Sequence, residues 1–226
     1  MATGYELIYD IKGRLGLNSD DSRFSNEYIM FQIKKARTTL IKRNFSKRFR
    51  VVPNSIKQHI QVELELTNDN EFSDADTTLQ TKDSLPVLIE NNILNLSTQI
   101  DGGSYNDLKF IMVPIERFPY VGEDNFFPTI IYCTIDYDYR LKFKSLYNKY
   151  KLLSNIRLSG IFMNPEEAWE YSPDYDEDTD FWDLEYPLDA ESLFEISNIV
   201  VQQLSARLPE DKINNGDDDP IKFNQK

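Results

Sequence analysis

The 226-residue sequence holds one cysteine, Cys133, and one histidine, His59. A lone cysteine excludes an intrachain disulfide and fits a reducing cytosol, or a particle assembled in one. A structural zinc site draws on about four Cys or His ligands, or fewer plus acids, so zinc is not expected. A catalytic triad needs a histidine, a nucleophile and an orienting acid together, and only His59 could supply the base. His59 opens an alternating strand, where a surface or packing role accounts for it. Cys133 sits mid-strand among apolar neighbours and reads as a buried, inert thiol. The 8 glycines are scattered. Neither Gly-x-x-x-x-Gly-Lys nor Gly-x-Gly-x-x-Gly occurs, so the common phosphate cradles are missing. Gly13 and Gly16 bracket Arg14-Leu15, where the end of a helix explains them. No apolar run approaches the roughly 20 residues that span a bilayer. Residues 1–6 have neither the basic start nor the apolar stretch of a signal peptide. The sequons at Asn44 and Asn95 are therefore read as chance.

Basic residues are absent from one long stretch. Residues 158–206 contain no Lys or Arg and 13 Asp and Glu, as many as the whole net charge of −13. The first 157 residues carry 21 basic and 20 acidic side chains, and residues 34–50 hold 8 Lys and Arg with no acid. Such segregation gives a molecule charged poles unless the fold intermingles the segments. The basic stretch could meet phosphates, or it could be the solvated face of a helix. Copies packed head to tail in a ring would set basic surface against acidic surface and assemble in a salt-sensitive way.

Apolar periodicity lays out the rest. Leu7, Ile8, Ile11 and Leu15 mark a short amphipathic helix over residues 5–17. Ser25 is an N-cap, with Phe24 and Ile29 at the positions of a hydrophobic staple. The helix that follows runs to about Asn44, with Ile29, Ile33, Ala36 and Leu40 on one face. Residues 59–66 alternate strictly, which marks a half-buried strand. Residues 67–83 read as a long polar loop. Short apolar pieces follow at 87–89, 93–96 and 110–115, with a turn at 101–104. Residues 130–143 alternate over too great a length for one strand, which predicts a hairpin bending near 136–138. A further strand covers 156–162. Asn164-Pro165-Glu166-Glu167 opens a helix, with Asn164 as the cap. The last helix spans 189–208, capped by Asp189, with Leu193, Ile196, Val200 and Leu204 as its stripe. Residues 214–220 are turn and linker material.

The sharpest chemical motif is acidic. Counting from Asp174, the residues Asp176, Asp178, Asp180 and Glu185 fall at the ligand positions of an EF-hand calcium loop. Thr179 stands where the turn requires glycine, and Pro173 and Pro187 flank the loop where helices should continue. A solvated or partner-facing acidic loop is the reading adopted. Acid-rich loops also contain carboxylate pairs by chance, so no glycosidase or two-metal site is assigned. No catalytic, cofactor-binding or metal residues are expected, and the chain is read as no enzyme.

Three segments carry a resemblance. They are Ile8-Tyr9-Asp10-Ile11-Lys12 with Ser25-Asn26-Glu27-Tyr28-Ile29 and the basic helix, then strand 156–162 running into Met163-Asn164-Pro165-Glu166-Glu167-Ala168, then Tyr186-Pro187-Leu188-Asp189-Ala190-Glu191 with its helix and Pro209-Glu210-Asp211-Lys212-Ile213-Asn214-Asn215. Together and in order they resemble the structural neck proteins of crAss-like phages that infect Bacteroides. The resemblance implies a head-to-tail connector subunit, similar in plan to the tail tubular protein of short-tailed phages and assembled as a twelve-fold ring below the portal. Its implied partners are further copies of itself, the portal and other neck or tail rings, with DNA passing through the lumen without sequence-specific binding and no membrane. Its implied location is the virion, after assembly in the host cytoplasm. The competing readings are a non-viral acidic scaffold or binding protein and a carboxylate-metal hydrolase.

The order helices, strands, helices predicts an α+β fold. N- and C-terminal helices pack together around a central inserted antiparallel β-domain, sandwich-like or barrel-like. Residues 1–52 and 186–226 form the helical part. Residues 53–185 form the β-domain with the acidic loop and a short helix.

Overall fold

The computed structural model describes residues 2–17, 24–45, 52–67, 78–97, 109–121, 130–145 and 148–207, except the side chains at 45, 90–95 and 148–149. The turn at 101–104 and the linker at 214–220 lie outside the described residues.

Helix α1 spans Gly4–Arg14. Thr3 and Glu6 form a reciprocal capping box at its start, a signal the apolar pattern alone does not show. Helix α2 spans Asn26–Phe45. The Ser25 hydroxyl accepts from the Tyr28 N–H, as an N-cap does. Phe24, at the staple position, packs against the core cluster that holds Ile29. Phe24 stacks on Tyr28, with ring centroids 5.7 Å apart, while Ile29 turns into the core. The short α3, Pro165–Glu170, and α4, Ala190–Ser205, begin after Asn164 and Asp189, but neither of those side chains caps its helix. Both hold a buried oxygen without a protein partner instead.

Among the described residues seven strands form one sheet in the order β3-β7-β1-β2-β6-β5-β4. They are β1 Gln58–Thr67, β2 Thr78–Thr81, β3 Leu88–Ser97, β4 Lys109–Met112, β5 Ile130–Ile135, β6 Leu141–Lys144 and β7 Asn155–Phe162. Strand β1 joins two halves. Its residues 58–63 pair with β7 and its residues 64–67 pair with β2. A strand that changes neighbours along its length lets a sheet curl around one core, which is the barrel-like option.

The expected hairpin is present as β5, a turn over 136–140, and β6. Three details differ from expectation. The sheet is mixed, because β4 pairs with β5 in parallel. The polar stretch before Asp83 contains β2, whose Gln80 and Thr81 are buried. Their polar groups are matched: Gln80 donates to Glu65 at 2.9 Å, and the Thr81 hydroxyl accepts from the Leu141 N–H at 3.1 Å. The apolar pieces at 87–89 and 93–96 join into a single strand, β3, with register shifts against β7.

The core falls into two clusters. One gathers Ile8, Ile11, Ile29, Ile33, Leu40, Ile196, Val200 and Leu204 from α1, α2 and α4. The other gathers Ile60, Val62, Ile131, Cys133, Leu141, Phe143, Ile156 and Leu158 from the sheet. Strands β3 and β7 serve both. Leu88 and Phe162 face the sheet cluster, while their neighbours Ile89 and Ile161 face the helical cluster. Alternate side chains of a strand point to opposite faces, so this half of the sheet is buried on both sides.

Candidate assembly surfaces

His59 and Ser159 are cross-strand partners, with Nδ1 2.6 Å from Oγ. They lie beside a cleft of about 440 Å³ lined in part by Gln58, His59, Trp169, Phe181 and Tyr186. Among the described residues no carboxylate bonds the His59 ring, and Ser159 sits in a regular strand. The pair lacks the orienting acid and strained turn that activate a nucleophile, and it serves as a hydrogen-bonded cross-strand contact. His59 and Cys133 are not brought together, because β2 and β6 separate their strands. Burial pushes the Cys133 thiol well above its ordinary value, which leaves it unreactive.

Three polar atoms in the cleft wall are buried without a protein partner: Gln58 Oε1, Trp169 Nε1 and the Tyr186 hydroxyl. Such a group costs about 1–3 kcal/mol until something bonds it. Tyr186 is fully buried, and desolvation pushes its hydroxyl up to about 12, with the Arg37 cation pulling the other way. Arg37 is itself fully buried. It donates to the Phe162 carbonyl at 2.6 Å, while its Nε and Nη2 have no partner.

The acidic motif does not fold as a helix–loop–helix. A 3-10 turn over Phe181–Asp183 occupies the second half of the loop. Asp176 accepts from the Asp178 N–H at 3.3 Å and the Thr179 hydroxyl at 3.1 Å. Asp180 caps the 3-10 turn and accepts from the Tyr5 hydroxyl at 2.8 Å, which raises the Tyr5 pKa. Glu185 bridges to Thr3 in an isolated β-pairing. Among the described residues no three His, Cys, Asp or Glu converge as ligands.

The charged segments intermingle. Lys34 of the basic helix pairs with Glu166, and Arg43 pairs with Glu195 of α4. Within one chain the basic helix already meets the acidic segment, so the expected opposition of charged poles is reduced. Lys35 and Lys42 stay on the exposed side of α2.

Exposed apolar side chains occur on the helices, as at Tyr9, Phe31 and Phe194, and on the sheet. On the edge strand β4, Ile111 is 40% exposed and Met112 37%. Tyr120 in the following 3-10 turn and Tyr137 at the β5–β6 tip are more than four-fifths exposed, at 82% and 83%. Exposed aromatic and aliphatic side chains of this kind are the usual material of subunit contacts.

The family model for phage tail ring protein 2 matches residues 6–220. The chain belongs to the phage tail ring protein 2 family. A relative within the curated proteins is "Ring protein 2" of Bacteroides phage crAss001, 27% identical over 220 residues, which covers 95% of this chain and 96% of the relative. The resemblance read from three segments is thus a family relation along almost the whole chain. For a crAss-like phage ring protein, the surfaces that matter are those that meet other copies.

Proposed function

We propose that this ring protein is a non-catalytic virion component of the head-to-tail connector, assembled as a twelve-fold ring below the portal, through which the genome is packaged or ejected. The observation that carries the reading is the family match over residues 6–220. The fold is compatible with it. Asp174, Asp176, Glu177, Asp178 and Asp180 are exposed. Acidic surface facing a lumen repels phosphates and lets DNA slide, whereas a basic lining would hold it. The helical part, residues 1–52 and 186–226, and the sheet part, residues 53–185, would act as one subunit through their shared strands.

Native mass spectrometry and electron microscopy of the full chain, alone and with the portal, test the proposal. The expected result is a closed ring of fixed copy number that docks on the portal. Assembly takes place in the host cytoplasm, and the protein is present in purified virions. A chain that stays monomeric with and without the portal, or that is missing from virions, overturns the reading. Because Lys34 and Arg43 are paired inside the chain, the ring should tolerate salt better than the charge split alone implies.

A further inference from the structure

We infer that neighbouring copies join through their sheets, with the β4 edge of one subunit pairing antiparallel to the β3 edge of the next. The inference rests on the ring reading above and names the contact that closes the ring.

The sheet ends in two different strands, β3 and β4, at opposite extremes of its order. A ring is built from heterologous contacts, in which one surface of each copy meets a different surface of its neighbour. Two unlike edges at opposite ends of one sheet meet that need. Pairing β4 with β4 would instead make a two-fold dimer and stop there.

Strand direction gives an independent check. From β3 the neighbours β7, β1, β2, β6 and β5 each reverse direction, and β4 then follows β5 in parallel. Strand β4 therefore runs opposite to β3. Where the strands of the curled sheet run along the ring axis, rotation by one subunit step brings β3 of the next copy beside β4 with that opposition kept. The seam is antiparallel, the more stable pairing per residue. Had β4 paired antiparallel with β5, the seam would have been parallel. The one parallel pairing in the sheet is thus the feature that makes a ring seam antiparallel.

Among the described residues the outer edge of β4 also has no neighbouring strand. The Val113 N–H donates to the Cys133 carbonyl at 2.8 Å. In a parallel ladder bonding residues alternate, so Ile111 and Val113 face β5 while the Met112 N–H and C=O face away from it. Short length, edge lysines, prolines and bulges keep sheet edges from pairing at random. Strand β4 is short and opens on the exposed Lys109, and β3 carries register shifts between Leu88 and Asn95, so the edges can pair only over a few residues with a specified partner, and the exposed Ile111 and Met112 supply that specificity. The four residues of β4 limit the seam to a short ladder, so side-chain burial of Ile111 and Met112 must contribute beside the backbone bonds.

The test uses the full chain with a benzophenone amino acid at position 111, in equal mixtures of light and heavy isotope-labelled copies. Irradiated rings should give crosslinks between a light and a heavy chain, landing within residues 88–97. Met112→Pro removes an outward N–H together with the exposed Met side chain. It should raise the concentration for half-assembly by about tenfold or more and leave the monomer's melting temperature close to wild type. If Met112→Pro destabilises the monomer, Ile111→Lys is read for the same loss of assembly. Rings that form normally with both variants, or crosslinks confined to one chain, to residues 109–112 of another copy, or to any other segment, overturn the seam and leave the ring reading intact. A wild-type chain that never assembles, even with the portal, overturns the ring reading and the seam with it.

Discussion

The helical cluster and the sheet cluster are held together on different terms. The sheet cluster is apolar, and the polar residues buried at its rim, Gln80 and Thr81, have hydrogen-bond partners. The helical cluster is assembled from both ends of the chain and closes over a guanidinium. Arg37 and Tyr186 are fully buried there, and three of their polar atoms have no protein partner. A matched core gains stability from burial at about 25 cal/mol per Å² of apolar surface. A core built around an unmatched charge gives part of that gain back. Strands β3 and β7, which face both clusters, make each depend on the other.

The largest expected effect breaks that dependence at its source. Phe143 is fully buried in the sheet cluster, edge-on to Phe110 with ring centroids 6.2 Å apart. Phe143→Ala should lower stability by about 3–5 kcal/mol. Both tryptophans, Trp169 and Trp182, pack against the helical cluster, so their fluorescence reports that side alone. Because β7 is shared, the fluorescence and far-ultraviolet dichroism midpoints in urea should move together. A tryptophan transition left in place by Phe143→Ala would show two independent folding units.

A smaller effect of opposite sign tests the helical cluster. Burial lowers the Arg37 pKa, which is the signature of a cation held without a counter-ion. Arg37→Met keeps the length of the side chain and removes the charge. Urea denaturation should show a gain of about 1–4 kcal/mol, as found when buried charges give way to apolar packing. A loss instead would mean that the bond to the Phe162 carbonyl outweighs the desolvation of the rest of the group.

Elements with a strong period were legible in the sequence. The stripe Ile29, Ile33, Ala36 and Leu40 is buried, and so is the stripe Leu193, Ile196, Val200 and Leu204. The β5–β6 hairpin bends where the over-long alternation requires it. Strand β2 was not legible, because only Leu79 of its buried residues is apolar, and tertiary partners are what make Gln80 and Thr81 acceptable inside. The caps at Asn164 and Asp189 have the right residue type, but the fold holds those side chains away from the helix N–H groups. The assembly surface was least legible. The parallel pairing of β4 depends on a long-range register between residues 109–112 and 130–133, and no local pattern encodes it. The charge split was plain in the sequence, and folding reduces it, since two of the basic residues pair with acids of the same chain.

The smallest effect concerns the tip of the sheet. Asp136 opens the β5–β6 turn, where its Oδ2 lies 2.6 Å from the Lys142 ammonium and its Oδ1 accepts from the Tyr137 N–H at 2.7 Å. The hydrogen bond from Lys142 is the main reason the carboxyl is held below its ordinary value. These contacts pin a turn in which Tyr139 takes a left-handed φ of 57°, unusual for a bulky side chain. A carboxyl whose folded pKa is depressed stabilises the fold above its unfolded pKa. That contribution disappears as pH falls through the ordinary carboxylate range toward the folded value. The pair is partly open to solvent, so screening keeps it below about 1 kcal/mol. Asp136→Asn should cost that much at neutral pH and progressively less as pH falls through the ordinary carboxylate range toward the depressed folded value. An equal cost at both ends of the range would place the fault in the amide's geometry at the turn. In that case the strained Tyr139 backbone, and not the ion pair, would set the stability of the tip.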